Sequence, residues 1–155
     1  MGGAMPQFTP QVADFEHRIR ASFARQAFMT TIGASLARVE PGIVAIALPF
    51  RVDLTQQHGF LHAAVATAIV DSACGYAALS LMPENTAVLT VEYKVNFLAP
   101  ASGDSFIATG RVIKHGETIT VCAGDVHTTR NGEEKLVAIM QTTMMGLRRR
   151  EGLSD

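Results

Sequence analysis

Between Leu89 and Phe97, apolar residues alternate with polar ones: Leu89, Val91, Tyr93, Val95 and Phe97 against Thr90, Glu92, Lys94 and Asn96. A period of two is the mark of a strand with one face on a core. Upstream the spacing is helical. Val12, Phe15, Ile19 and Phe23 recur every three or four residues with charged residues between them, which predicts an amphipathic helix over about 11–27. Pro10 ahead of it suits a helix entry. From Ile32 the character changes to strands: 32–40 and 43–50 flank Pro41-Gly42, a type II turn pair, and form a hairpin. Residues 51–59 read as a polar loop. From about Leu61 to Leu81 the chain is almost wholly apolar or small, which predicts a buried helix ended by Pro83-Glu84-Asn85. After the alternating strand, Pro100 to Gly103 turn the chain. Residues 104–114 then lead to His115-Gly116, and 117–129 to Asn131-Gly132, a strong hairpin dipeptide. A last strand runs over 135–147, and the tail 148–155 is expected to be exposed and flexible.

The order helix, two strands, long helix, four strands implies an α+β protein in which an antiparallel sheet of about six strands wraps a long central helix. No repeat or linker divides the chain, so 1–155 reads as one domain with its core over about 32–147. Such a sheet has two open edges and a broad face, which favours pairing with a second copy.

The stretch 60–82 is long enough to span a bilayer, where about 20 apolar residues are needed. Asp71 stands in its middle, however, at a cost of roughly 2.5–3.5 kcal/mol on insertion scales. Its seven alanines offset little of that. A helix buried in a soluble protein fits better, and its small residues would let a sheet approach closely. Composition agrees: 48% of residues are hydrophobic and 17% charged, enough for a core and too apolar for a disordered chain. Thirteen Lys and Arg against fourteen Asp and Glu leave a formal charge of −1, without the basic surplus of a nucleic-acid binder. Two cysteines, Cys74 and Cys122, are too few for a secreted disulfide scaffold, and Met1 to Pro10 lack the features of a signal peptide. A cytoplasmic location is expected.

Asp71 is the residue around which chemistry can be built. A carboxylate within a buried helix either anchors a neighbouring strand or, with its pKa raised by desolvation, serves as general base or nucleophile. The stretch Gln56-Gln57-His58-Gly59-Phe60-Leu61-His62-Ala63-Ala64 leads straight into that helix. Unpaired N–H groups at a helix start suit a developing oxyanion. His58 and His62, four apart, invite a metal reading with Asp71, but the Glu of the zincin pattern is missing, and no metal is expected. His62 is expected to order the loop through backbone hydrogen bonds. Cys74 has no basic neighbour in sequence and reads as an inert small hydrophobe.

Gly59-Phe60-Leu61-His62-Ala63-Ala64 followed by Asp71 and Gly75, and then Val91 to Ala101 with Gly103-Asp104, resembles the hotdog-fold acyl-CoA thioesterases of the PaaI-like group, related to phenylacetic acid degradation. The resemblance runs from about Ile32 to Leu147. It implies that Asp71 acts as base or nucleophile on the thioester and that the Ala63 N–H polarises its carbonyl. Gln56 would help place the carbonyl or the water. Thr90, on the partner subunit's strand, would orient the attacking water, so the site would lie between subunits. Gly59 and His62 belong to the substrate-binding motif. Arg111, Lys114, His115 and Gly116 fall where related proteins bind the nucleotide part of CoA. Ala63-Ala64 stand where the family usually has Gly-Gly, and Gln56 where many members have Asn.

The activity so implied is hydrolysis of an acyl-CoA to free acid and CoA, without metal or cofactor, by a homotetramer built as a dimer of dimers. Neither nucleic acid nor membrane is an expected partner. The acyl group, whether aromatic, short or medium-chain, is left open. The alternatives are a hotdog hydroxyacyl-thioester dehydratase, which would use a His with a carboxylate, and a non-catalytic acyl-CoA binding module.

Overall fold

A computed structural model of the chain describes residues 7–148. Helices α1 (Phe15–Arg25) and α2 (Ala27–Ile32) precede strands β1 (Ser35–Glu40) and β2 (Ile43–Pro49). The long helix α3 (Ala63–Leu79) follows, then β3 (Thr86–Phe97), β4 (Ser105–His115), β5 (Ile119–Arg130) and β6 (Glu133–Arg148). The six strands form one antiparallel sheet in the order β1-β2-β4-β5-β6-β3. Helix α3 packs across β2, β4, β5, β6 and β3, which is the hotdog arrangement of a sheet wrapped on a helix. Ile69, Val70 and Ala73 of α3 are buried against Ile46, Phe106, Val126 and Met144 of the sheet.

The closeness of helix and sheet comes from both partners. The small residues of α3 were the expected source. The sheet adds Gly110, where a Cβ would lie 2.3 Å from the Cys74 nitrogen and 2.4 Å from the Ala73 carbonyl carbon. Here two backbones touch, and no side chain fits between them.

Three expectations are corrected. The N-terminal helix does not run unbroken over 11–27. It begins at Phe15 and stops at Gln26, whose backbone (φ −78°, ψ 91°) leaves the helical region. A second helix then occupies 27–32, so β1 starts at Ser35 rather than Ile32. The Gln26 N–H closes α1 on the Phe23 carbonyl (3.0 Å), while the Gln26 carbonyl opens α2 by accepting from Met29 N–H (3.1 Å). Second, the alternation of β3 is interrupted by a bulge between Thr90 and Glu92. Thr90 opposes Met144, and Tyr93 opposes Thr142, both buried residues, so Thr90 and Tyr93 share the helix-facing side. Third, Arg148 closes β6 opposite Thr86 instead of starting a tail, and the rest of that expected tail lies outside the described residues.

Helix α1 is tied down by its middle. Arg18 Nη1 donates to the Met82 and Pro83 carbonyls (3.0 Å each) and Nη2 to the Thr86 carbonyl (2.7 Å). A guanidinium here satisfies carbonyls just beyond the end of α3 and complements its dipole. Phe23 stacks at a tilt on Tyr76 with ring centroids 5.7 Å apart. The C-terminal end of α1 is thereby laid over the second half of α3. Among the described residues no helix is long and apolar enough to cross a membrane.

Candidate functional site

Asp71 follows Val70, which points into the core, and is itself half-buried at the side of α3 toward β3. The β3 bulge turns Thr90 toward it, and Thr90 Oγ1 donates to Asp71 Oδ1 at 2.9 Å. Thr90 therefore meets the aspartate of its own chain. The expectation that it comes from the partner subunit is corrected, because β3 lies beside α3 within one protomer. No cation pairs with Asp71 among the described residues. Burial pushes its carboxyl above the usual carboxylate range, and the Thr90 hydrogen bond pulls it partly back. One carboxylate oxygen is thus fixed, in a pocket of about 320 Å³. A carboxylate so placed can take a proton from water or attack a carbonyl.

The other expected residues gather at the start of α3. Gly59, at φ +82°, turns the loop as only glycine does readily, and its N–H donates to the Gln56 carbonyl (2.9 Å). Gln56 Oε1 accepts from the His58 N–H. Leu61 and His62 N–H are held by the Ala101 (3.0 Å) and Leu54 (2.9 Å) carbonyls, which fixes the entry to the helix. His62 is the N-cap: its Nδ1 accepts from Ala64 N–H at 3.0 Å, and its carbonyl accepts from Val65 (2.9 Å) and Ala66 (3.3 Å). Acceptance at Nδ1 places any proton of a neutral ring on Nε2. The first helical N–H, that of exposed Ala63, is left without an acceptor among the described residues. Gln56 and Ala63 line a second pocket of about 430 Å³, walled by Phe60, Phe97, Leu98 and Ala138.

Asp71 with Thr90 forms one group, and Gln56, Gly59, His62 and Ala63 form another. The structure does not join them within one chain. Asp71 stands eight residue steps beyond Ala63 on the helix, about 12 Å along the axis and about 80° around it.

The expected nucleotide-binding cluster stands apart from both. Gly110 faces α3, so its neighbour Arg111 faces the opposite side of the sheet, where it forms a close ion pair with Asp125. Asp125 Oδ1 lies 3.2 Å from His127 Nδ1. Beyond a bulge between Val112 and Lys114, Lys114 is exposed, and His115 Nδ1 lies 3.1 Å from Thr120 Oγ1. Burial lowers the His115 pKa. Gly116 lies in the following turn, where a Cβ would approach the Ile119 carbonyl oxygen to 2.6 Å. Cys74 and Cys122 are buried, and burial holds the Cys74 thiol well above its ordinary value and pushes Cys122 up to about 12. Among the described residues no group of three or more His, Cys, Asp or Glu could hold a metal ion.

The sequence reading missed the residues that roof the Asp71 pocket. Arg25 and Gln26 come from the α1–α2 corner, with Ser72, Gly75 and Tyr76 on α3 itself. Gly75 belongs to the motif, but nothing in the sequence connects a corner at residue 26 with a carboxylate at residue 71.

Residues 58–135 match the model of the thioesterase superfamily. A Halobacterium salinarum protein whose name provisionally makes it an esterase is 30% identical over 119 residues, 72% of this chain and 78% of its own. The crystal structure of a thioesterase family protein from Silicibacter pomeroyi shares 49% of its sequence and superposes with a TM-score of 0.86, covering 87% of this chain and 99% of that one. The PaaI protein from the phenylacetic acid degradation operon of E. coli, 19% identical, shares the fold with a TM-score of 0.76 over 86% of this chain and 93% of its own. With its sheet wrapped on α3 and a matched segment that runs from the loop before that helix to the start of β6, the chain belongs to the thioesterase superfamily, whose general chemistry is thioester hydrolysis.

Proposed function

We propose that the protein hydrolyses acyl-CoA thioesters to the free acid and CoA, at a site assembled from two copies of the chain. The observation that carries this reading is Asp71: a carboxylate raised by burial, with no cation at ion-pair distance among the described residues, held by the Thr90 hydroxyl in an open pocket. Asp71 takes a proton from water, and the hydroxide attacks the thioester carbonyl. The carbonyl oxygen becomes an oxyanion, the C–S bond breaks, and the thiolate leaves to be protonated as CoA. Thr90 holds Asp71 in place. The free N–H of Ala63 suits the oxyanion, and the Gln56 side chain the positioning of the carbonyl or the water. Direct attack by Asp71, through an anhydride, is the variant of this route. A single turnover in ¹⁸O-labelled water separates the two, since only the anhydride route leaves label in the enzyme. Neither route uses a metal or a cofactor.

A second copy enters because the Ala63 and Asp71 groups lie too far apart on one helix to hold a single carbonyl. Strand β3 forms an edge of the sheet and exposes Tyr93 (47%) and Phe97 (50%). An exposed apolar edge strand is suited to pairing with its symmetry mate. Such a dimer would bring the Ala63 pocket of one protomer toward the Asp71 pocket of the other, and further association of dimers would give a tetramer. Lys114 and the Gly116 turn would meet the nucleotide part of CoA, while Arg111 is already engaged by Asp125. An acyl-CoA substrate fits a cytoplasmic setting.

The test is thiol release from a panel of acyl-CoAs, with Asp71→Asn in parallel. Release that disappears in the variant while fold and assembly persist supports the reading, and an unimpaired variant overturns the mechanism. Enoyl product without free thiol moves the assignment to a dehydratase. CoA-dependent thermal stabilisation without release moves it to a binding module.

A further inference from the structure

The α1–α2 corner brings a carboxamide to the Asp71 pocket that neither fold nor hydrolysis explains. Gln26 lines the pocket. Its Nε2 lies 3.5 Å from Ser72 Oγ, and its Oε1 is buried without a hydrogen-bond partner among the described residues. Ser72 can hold either atom of the amide. Whichever it holds, the other is left buried and unmatched, and native proteins rarely leave such a group unpaired. The backbone of Gln26 is fixed on both sides, as the last acceptor-seeking N–H of α1 and the first acceptor of α2. The side chain is therefore delivered to the pocket from a fixed backbone, and rotation about its own χ angles can turn the amide toward an occupant. The corner also lies outside residues 58–135, so it is supplied by a part of the chain that the superfamily match does not include.

We infer that Gln26 reads the acyl group: its carboxamide hydrogen-bonds a hydroxyl carried by the acyl chain, so that the pocket favours hydroxylated acyl groups over plain hydrocarbon ones of equal length. A hydroxyl both donates and accepts and so satisfies the amide in either orientation. The pocket is of a size for a short acyl group, and Val88, Met144 and Tyr76 give it apolar walls beneath a polar roof of Ser22, Arg25 and Gln26. Plain acyl chains would leave the amide unmatched when they exclude water, which is the basis of strong discrimination by buried polar groups. Gln26 is in this sense a specificity residue, and the inference rests on the acyl-CoA reading above.

The experiment uses matched pairs, butyryl-CoA with 3-hydroxybutyryl-CoA and hexanoyl-CoA with 6-hydroxyhexanoyl-CoA, on the full chain and on Gln26→Leu. The expected result is a preference of roughly 10- to 100-fold in kcat/KM for the hydroxylated member of at least one pair. Gln26→Leu is expected to erase it, because the hydroxylated substrate loses its partner and the plain one no longer buries an unmatched amide. A folded Gln26→Leu that keeps the same ratio, or a parent that prefers the plain member of both pairs, overturns the inference. If Gln26→Leu does not fold, Ser72→Ala, which releases the carboxamide without touching the corner, is expected to blunt the same ratio, and an unchanged ratio again overturns it. Calorimetric binding of both pairs to Asp71→Asn, with and without Gln26→Leu, separates the two readings. Preferential binding that depends on Gln26, beside a parent chain that turns over no acyl-CoA, would sustain the role of Gln26 and end the hydrolase reading. Turnover with a Gln26-independent ratio would do the reverse.

Discussion

The two faces of the sheet each hold a carboxylate, and they treat it differently. On the helix side, Asp71 accepts a hydrogen bond from the Thr90 hydroxyl, has no ion-pair partner among the described residues, and has a pocket in front of it. On the open side, Asp125 has a guanidinium from the neighbouring strand and an imidazole two residues along its own. A carboxylate paired with a fixed cation contributes to the structure. One that is desolvated without a cation is poised to change protonation state, at some cost to the fold. The difference follows from position: Asp125 shares a sheet face with charged residues, whereas Asp71 is surrounded by a helix chosen for burial.

The sharpest way to break this contrast is to neutralise each carboxylate in turn. Asp71→Asn is expected to lower kcat for acyl-CoA hydrolysis by about 10³-fold, within the range of a lost general base, measured by thiol release. Asp125→Asn is expected to stay within about threefold of the parent, well short of that loss. The next effect concerns the tightness of the two faces. Gly110→Ala places a methyl against the backbone of Ala73 and Cys74 and should cost about 3 kcal/mol or more in urea unfolding, since α3 must move. Thr109→Ala, one residue away and facing outward, should cost less than about 1 kcal/mol. Smaller again is the ion pair. Arg111→Leu leaves Asp125 without its cation and should cost about 1–3 kcal/mol, most of it recovered in the Arg111→Leu/Asp125→Leu double variant.

The finest distinction is in pH dependence. Because the Asp71 pKa is raised in the folded chain, the native state binds the proton more tightly than the unfolded one. Stability contributed by the neutral acid is therefore lost as pH rises from the ordinary carboxylate range through the raised value. Asp71→Asn should accordingly raise the melting temperature at neutral pH and change it little in acid. Thr90→Val removes the bond that favours the anion, so the acid limb of the pH–rate profile should move to higher pH.

Much of the helix side was legible in the sequence, because burial writes itself into composition. The apolar run over 61–81 marked α3, and Asp71 stood out within it. The Gln56 to Ala64 motif marked the helix start, where the expected role of His62 in ordering the backbone takes the form of an N-cap. Contacts set by register were not legible. Arg111 reaches Asp125 diagonally, because Thr109 is the residue opposite Asp125 across β4 and β5, and that alignment depends on a turn and a bulge that no periodicity reveals. The bulge in β3 likewise hid the orientation of Thr90 behind a regular-looking alternation. The break at Gln26 had no glycine or proline to announce it. Its tertiary setting lies far off in sequence: the Gln26 carboxamide lies 3.5 Å from Ser72 Oγ, and Arg51 holds the Thr31 carbonyl of α2 at 3.0 Å.

The eight-residue interval between Ala63 and Asp71 bears on how the protein would tolerate damage. On the proposed two-chain site, a lesion at Asp71 and a lesion at Gln56 fall in different halves of any one centre. A mixed dimer of Asp71→Asn and Gln56→Ala chains would then concentrate both faults in one centre and leave the other whole. Two inactive gene products would restore activity when expressed together, and inheritance at this locus would be a property of pairs.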